Sequence, residues 1–263
     1  MVDSRPEGGA LPARVGRYEI RSRLASDPLD EVYEAFDPLI ERPVAVKVFR
    51  VKTADPATVA RVRDAFSQEM SRAGSLMHPG IVALYDAGEC PDGLFMASEF
   101  VDGQGLAEAL SRGVDLDLPL RVSLLVQIVD ALEYARDLGV AHLNLKPSTI
   151  LVGPDYMLKV GGFGVAPVVD AINTATGLRS APSRHTAPER LRGEAGDSRS
   201  DAFSVAQLAL DILAGADRPM PAGGWLTPPP LPAALSAHGV RADRWNTLFE
   251  HALAAEPQDR FPS

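Results

Sequence analysis

The spacing of apolar residues changes period near residue 100, and no other feature restricts the fold as much. Before that point "RYEIRSRLA", "EVYEAFD" and "RPVAVKVFR" alternate at every second residue, the pattern of half-buried strands. In the third run Val44, Val46 and Val48 point to one face, while Ala45 and Lys47 share the other with Phe49. "GIVALYDAGE" and "GLFMASEFV" read as a strand pair around a turn at Pro91-Asp92-Gly93. One helix interrupts the strands. "DPATVARVRDAFSQEMSRAGSLMH" offers Asp55 as N-cap and Pro56 at the first helical position. Val59, Val62, Phe66, Met70, Ala73 and Met77 are spaced for one apolar face. Past residue 100 the helical period takes over. "LPLRVSLLVQIVDALEYARDLG" ends at Gly139 as its C′ glycine. "SDAFSVAQLALDILAG" is apolar nearly all round, and "DRWNTLFEHALAAEP" forms a third helix. Strands first and helices after predict an α+β chain of two lobes, residues 16–100 and 101–263, behind a flexible tail over residues 1–15.

Composition narrows the class of function. The net charge of −9 and the absence of a compact Lys/Arg block argue against a nucleic-acid or anionic-membrane partner. Cys90 is the only cysteine, which excludes an internal disulfide and a thiolate metal site and fits a reducing compartment. No apolar run is long enough to span a bilayer, and "MVDSRPEGGALPARVG" lacks a signal-peptide core. The expectation is a cytoplasmic domain.

Several local signals, in order, carry a resemblance. "VAVK" ends at Lys47, Glu69 lies in "FSQEM", and "LMHPGIVALYDAGE" and "SEFVDGQGL" follow. "HLNLKPSTILV", "GGFG", "APER" and "AAEPQDRFPS" come after them. From about Tyr18 to Ser263 the chain resembles a protein kinase domain, most closely the bacterial Ser/Thr kinases of eukaryotic type. The resemblance implies a small antiparallel-sheet lobe with one main helix and a mostly helical second lobe. It implies that Lys47 pairs with Glu69, that Asp201 accepts N–H groups of the catalytic loop, and that Glu189 pairs with Arg260. His142 is expected in the core under "GGFG", and His78 in turn hydrogen bonds. The chain stops at "RFPS", where the family's last helix begins.

The residues that would perform phosphoryl transfer fare differently. The resemblance puts Asn144 where the family has its catalytic aspartate. An amide cannot accept a proton at neutral pH, and losing a general base costs about 10²- to 10⁴-fold. Leu143 stands where the preceding arginine would be, Thr149 where the metal-binding asparagine would be, and Gly162 where the DFG aspartate would be. Hard divalent cations seek carboxylate oxygens, and neither metal position offers one. Ala25, Asp27 and Asp30 of "ASDPLD" occupy the glycine positions of the phosphate loop. Carboxylates there repel phosphates by roughly 1 to 4 kcal/mol each, and the segment reads as an acidic surface turn. The resemblance also implies an adenine pocket: Val32, Ala45 and Leu151 around the base, Ser98 as gatekeeper, the Glu99 carbonyl and Val101 amide at its edge. Small apolar residues at these positions also suit any two-lobed core.

Fold-supporting residues thus match while reaction-supporting ones do not. The reading is a pseudokinase with no catalytic residues, no metal and no cofactor, acting as a scaffold for a protein partner. Two alternatives stay open. One is a nucleotide switch binding ATP or ADP without magnesium through Lys47, Glu69, Val32, Ala45, Glu99, Val101 and Leu151. The other is an atypical transferase using Glu69 or Asp155 as metal ligands. Two surface expectations complete the reading. Pro182 stands near the place of a substrate-orienting threonine, and Thr174, Thr176, Ser180 and Ser183 are not an autophosphorylation switch. In the segment "ADRPMPAGGWLTPPPLPAALSAHG" a family helix is expected to be lost or reduced to a turn, so that the apolar surface around Trp225, Leu226 and Leu231 is either open to a partner or covered by the proline-rich loop.

Overall fold

In a computed structural model the described residues are 11–51, 55–112, 116–177, 183–214 and 230–261. Pro182, Ser180, Trp225 and Leu226 lie outside them. The chain divides into a strand-rich unit (Met1–Met77, Val82–Phe100 and Pro167–Ser180) and a helical unit formed by the remaining segments. This is the two-lobed architecture expected from the change of period.

The strand-rich unit is built on an antiparallel sheet of six strands. They are β1 (Arg14–Val15), β2 (Tyr18–Ser26), β3 (Asp30–Asp37), β4 (Arg42–Arg50), β5 (Leu84–Cys90) and β6 (Gly93–Glu99), in the order β1-β2-β3-β4-β6-β5. Arg14 and Val15, the last two residues of the expected tail, are paired in the sheet, β1 with β2. One face is apolar: Val44, Val46 and Val48 pack with Tyr18, Tyr33 and Phe95. Gly93 adopts φ 143° in the β5–β6 turn, and a Cβ there would lie 2.1 Å from the Phe49 carbonyl oxygen. The glycine in "PDG" is thus a steric requirement.

Helix α1 (Pro56–Gly74) starts as predicted, with the Asp55 carboxylate accepting from the N–H groups of Ala57 and Thr58. It buries Val62, Phe66, Met70 and Ala73, and the Phe66 ring meets Phe49 of β4 edge-on at 6.0 Å. Met77 departs from the predicted face: it lies beyond the helix end at Gly74 and is 84% exposed.

The helical unit contains β7 (Gln104–Gly105), α2 (Leu106–Ser111), α3 (Leu118–Asp137), β8 (Ile150–Val152) and β9 (Leu158–Val160). Helix α4 (Val165–Thr176) begins in this unit and continues into the strand-rich one. Further helices are α5 (Pro188–Leu191), α6 (Ser198–Ala214), α7 (Ala233–Ala237) and α8 (Ala242–Ala252). Helix α3 ends with Gly139 at φ 72°, as its C′ position demands. Helix α6 is the centre of the unit, with Phe203, Ala206 and Leu210 buried against Trp245 and Phe249 of α8. Leu231 packs partly buried against that cluster. In the proline-rich segment the five-residue α7 is the regular structure among the described residues.

Candidate functional site

Lys47 and its surroundings follow from the sheet register. Strands β3 and β4 pair Val32 with Lys47, Glu34 with Ala45 and Asp30 with Phe49. Asp30, Val32, Ala45, Lys47 and Phe49 therefore share one face, with Asp30 on the diagonal from Lys47. A long side chain spans such a diagonal readily. The Lys47 ammonium pairs with Asp30 Oδ1 at 2.6 Å, with side chains 23% and 11% exposed. It also lies 5.7 Å from the Phe49 ring centre.

This corrects two expectations. Glu69 is not the partner of Lys47; its carboxylate takes a hydrogen bond from Arg72 at 3.0 Å, one turn along α1. A short i,i+3 pair on the helix meets its need for a cation, and Asp30 meets that of Lys47. Nor is Asp30 part of an acidic surface turn, because it is buried, whereas Ala25 and Asp27 are exposed. The turn is closed by a hydrogen bond from Asp27 N–H to the Asp30 carbonyl, 2.8 Å, and Leu29 is buried. On the opposite face Glu31 takes Arg50 at 2.5 Å, Arg23 at 3.4 Å and the Tyr33 hydroxyl at 2.5 Å. Burial alone would raise the Glu31 pKa; the Tyr33 hydroxyl and the two arginines hold it below the usual carboxylate range.

The positions assigned to the adenine pocket are each half-buried in their own unit. Val32 and Ala45 lie on the Lys47 face, and the Ser98 hydroxyl reaches the Ala45 carbonyl at 3.4 Å. Glu99 donates its N–H to the Ala83 carbonyl and accepts the Ala83 N–H on its carboxylate. Leu151 sits in β8 opposite Gly105 and Lys159, and Val101 is half-buried.

In the helical unit the segment around Asn144 is held by the fold. Asp201 of α6 accepts the N–H groups of His142 and Leu143, both at 2.7 Å. Burial pushes its pKa up to about 6, partly opposed by those two donors. His142 is fully buried beside Phe163, with ring centres 4.7 Å apart. Its Nδ1 accepts the Asn144 N–H, so the proton sits on Nε2, which donates to the Gly161 carbonyl at 2.9 Å. Burial lowers its pKa to about 4, despite that hydrogen bond, so the ring is a neutral structural strut. His78 accepts the Gly80 N–H on Nδ1, as a turn residue should.

Three more positions to which the resemblance assigned roles lie in the same unit. Thr149 Oγ1 donates to the Lys146 carbonyl at 2.8 Å and accepts the Lys146 N–H at 3.2 Å, tying off a single 3-10 turn. Gly162 adopts φ +93°, which L side chains rarely take. Asn144 offers an amide. These donors do not fit a magnesium ion. Among the described residues no three of His, Cys, Asp and Glu gather as a metal-binding group. Asp155 accepts the Met157 N–H at 3.1 Å within a surface turn. Leu143, at φ 62°, packs its side chain where a Cβ on Gly196 would come within 2.9 Å of Cδ2.

Two further groups concern the segment after "GGFG". Thr174 and Thr176 lie in α4 with their hydroxyls bonded to the carbonyls four residues back, at 2.8 Å each. Ser183, His185 and Asp211 form a chain: Ser183 Oγ to His185 Nδ1 at 2.9 Å, and His185 Nε2 to Asp211 Oδ2 at 2.8 Å. Sequence reading missed this chain, since Asp211 is separated from His185 by most of α6. It also missed Asp30 as the partner of Lys47, although equal parity on a β3–β4 hairpin would have brought the two together. Glu189 and Arg260 pair as expected, through two hydrogen bonds of 2.8 and 2.7 Å.

Comparisons with known proteins agree with this fold. Residues 22–222 match the protein kinase domain family. The chain is 32% identical to the serine/threonine-protein kinase PknA of Mycobacterium tuberculosis over 264 residues, covering 94% of this chain and 59% of that protein. It is 30% identical to PknB of the same species over 259 residues, covering 93% of this chain and 41% of PknB. It thus spans 59% of the length of PknA and 41% of that of PknB. Among solved structures, the kinase domain of M. tuberculosis PknI superposes with a TM-score of 0.72 at 27% identity, covering 97% of this chain and 95% of that one. Rad53 shares the fold, with a TM-score of 0.70 at 21% identity over 93% of this chain and 62% of that one. The chain belongs to the protein kinase domain family.

Proposed function

We propose that this domain is a pseudokinase: a kinase-shaped regulatory module that works through contacts with a partner protein and performs no magnesium-dependent phosphotransfer. The observation that carries this reading is the state of the reaction positions in the helical unit. Asn144 cannot act as a base at neutral pH, Thr149 has its hydroxyl tied to the Lys146 backbone, and Gly162 offers no carboxylate to a divalent cation. The residues that maintain the fold, by contrast, are fully engaged: Asp201 with two N–H groups, Glu189 with Arg260.

The test is a radiolabel transfer assay on the purified chain with ATP and magnesium or manganese, using itself and generic protein acceptors. The expected result is no incorporation above that of Lys47→Met. Incorporation by the wild-type chain that disappears in Lys47→Met would overturn the reading.

A second reading is metal-independent binding of ATP or ADP. It is favoured by one observation: Val32, Ala45 and Lys47 share one face of the sheet, the first two half-buried and apolar. In this reading bound nucleotide biases the domain between two states for which it has different affinities. Isothermal titration with magnesium-free ADP decides it; absence of heat at millimolar ligand rules it out for the wild-type chain.

A further inference from the structure

We infer that Asp30 is an internal anion that occupies Lys47, so that a phosphate-bearing ligand reaches this lysine only when Asp30 is displaced. The inference rests on reading the domain as one without phosphotransfer, and it names what governs ligand entry at Lys47.

The geometry is that of a built contact. The Lys47 ammonium meets one carboxylate oxygen of Asp30 at 2.6 Å, both side chains mostly removed from water. Asp30 is held from both sides. Before it, Leu29 is buried and its carbonyl accepts the Arg50 N–H at 2.9 Å. Asp27 N–H closes the turn onto the Asp30 carbonyl. After it, Glu31 is clamped by Arg50, Arg23 and Tyr33 on the opposite face of the sheet. With both neighbours anchored and pointing away, the backbone at residue 30 has little freedom to carry the carboxylate off Lys47.

The other carboxylate expected to serve this lysine, Glu69, is engaged by Arg72. Among the described residues Lys47 therefore has one counter-ion, Asp30, supplied by β3. A phosphate approaching Lys47 meets a lysine already neutralised and a carboxylate that repels it. The ligand class excluded is the phosphate anion in general, whether inorganic pyrophosphate or the diphosphate of a nucleotide.

The experiment compares wild-type chain, Asp30→Asn, Asp30→Ser and Asp30→Asn/Lys47→Met by calorimetric titration with magnesium-free ADP and with pyrophosphate. The two single variants are expected to bind at least about tenfold more tightly than wild type, equivalent to ~1.4 kcal/mol. That gain should vanish in the double variant. Folded single variants that bind no tighter than wild type, or a gain that survives without Lys47, would overturn the inference. If neither single variant folds, the wild-type chain decides by acetylation of Lys47 followed by peptide mass spectrometry. Millimolar pyrophosphate is expected to give no protection, and protection at that concentration refutes the inference. Failure here is distinct from failure of the pseudokinase reading, which falls only to phosphotransfer by the wild-type chain.

Discussion

Replacing Arg260 by methionine should destabilise the helical unit by about 3–5 kcal/mol, the cost of stranding one member of a buried ion pair. The structure supplies the reasons. Arg260 and Glu189 have side chains 0% and 2% exposed and are joined by two parallel hydrogen bonds of 2.8 and 2.7 Å. The same guanidinium donates to the carbonyls of Ala254, Arg199 and Ala255, and it lies 5.1 Å from the Phe203 ring centre. Methionine fills part of the volume but leaves the carboxylate with the Ser200 hydroxyl as its remaining side-chain donor.

A second route gives a similar size. Burial alone would raise the Glu189 pKa, yet Arg260 and Ser200 bring it from 4.5 down to about 2. At 1.36 kcal/mol per unit this is roughly 3 kcal/mol. Because the folded pKa is depressed, that stability is fully present above pH 4.5 and is lost as pH falls toward 2. Urea unfolding followed by Trp245 fluorescence, in a Trp225→Phe background, measures it, since Trp245 sits in the same core as Phe203. A midpoint shift of about 6–12 °C in a thermal scan is the corresponding figure for ~3 kcal/mol. The gap between wild type and Arg260→Met should narrow between pH 7 and pH 3, and Glu189→Gln should be much less than additive with Arg260→Met. A loss below ~1 kcal/mol at pH 7, or a gap independent of pH, would refute the reasoning.

Three other outcomes follow from the geometry. Asp201→Asn leaves one acceptor oxygen for two N–H donors and should cost about 1.5–3 kcal/mol in urea unfolding, as loss of a hydrogen bond to a charged group does. Gly162→Asp should lower stability by ~1–3 kcal/mol, because an L residue is strained at φ +93°; it should not by itself produce phosphotransfer in the radiolabel assay. Asp55→Ala removes the cap that holds the first N–H groups of α1 and should cost about 1 kcal/mol, measurable by thermal denaturation.

Most of the fold was legible because local chemistry and packing agree. The Val44–Val46–Val48 alternation buries one sheet face, Asp55-Pro56 starts α1, and Gly139 ends α3 where their backbone requirements predict. Helix α4 was not seen, although Val165, Val168 and Ile172 repeat at helical spacing and are buried. The resemblance rested on the motifs to either side, "GGFG" and "APER", and no helix was expected between them. At the candidate site, hydrogen bonds made by backbone groups to Asp201 were readable from motif position. The partner of Lys47 was not, because an ion pair goes to whichever carboxylate the register brings nearest. Asp30 lies one diagonal step away on the adjacent strand, while Glu69 must be delivered by a separate helix that has its own arginine.

The way the chain is shared between its two units has a consequence for synthesis. The strand-rich unit is not continuous: after Phe100 the chain leaves it and returns only at Pro167, with α4. A ribosome adding roughly 5–20 residues per second needs about 3–13 s to supply the intervening 66 residues. During that interval the sheet and α1 exist without the segment in which Val168 and Ile172 end up fully buried. The nascent sheet unit therefore waits, incomplete, through the time window in which folding helpers and proteases bind exposed apolar surface. Truncations ending near residue 100 are expected to capture that waiting state rather than an independent domain.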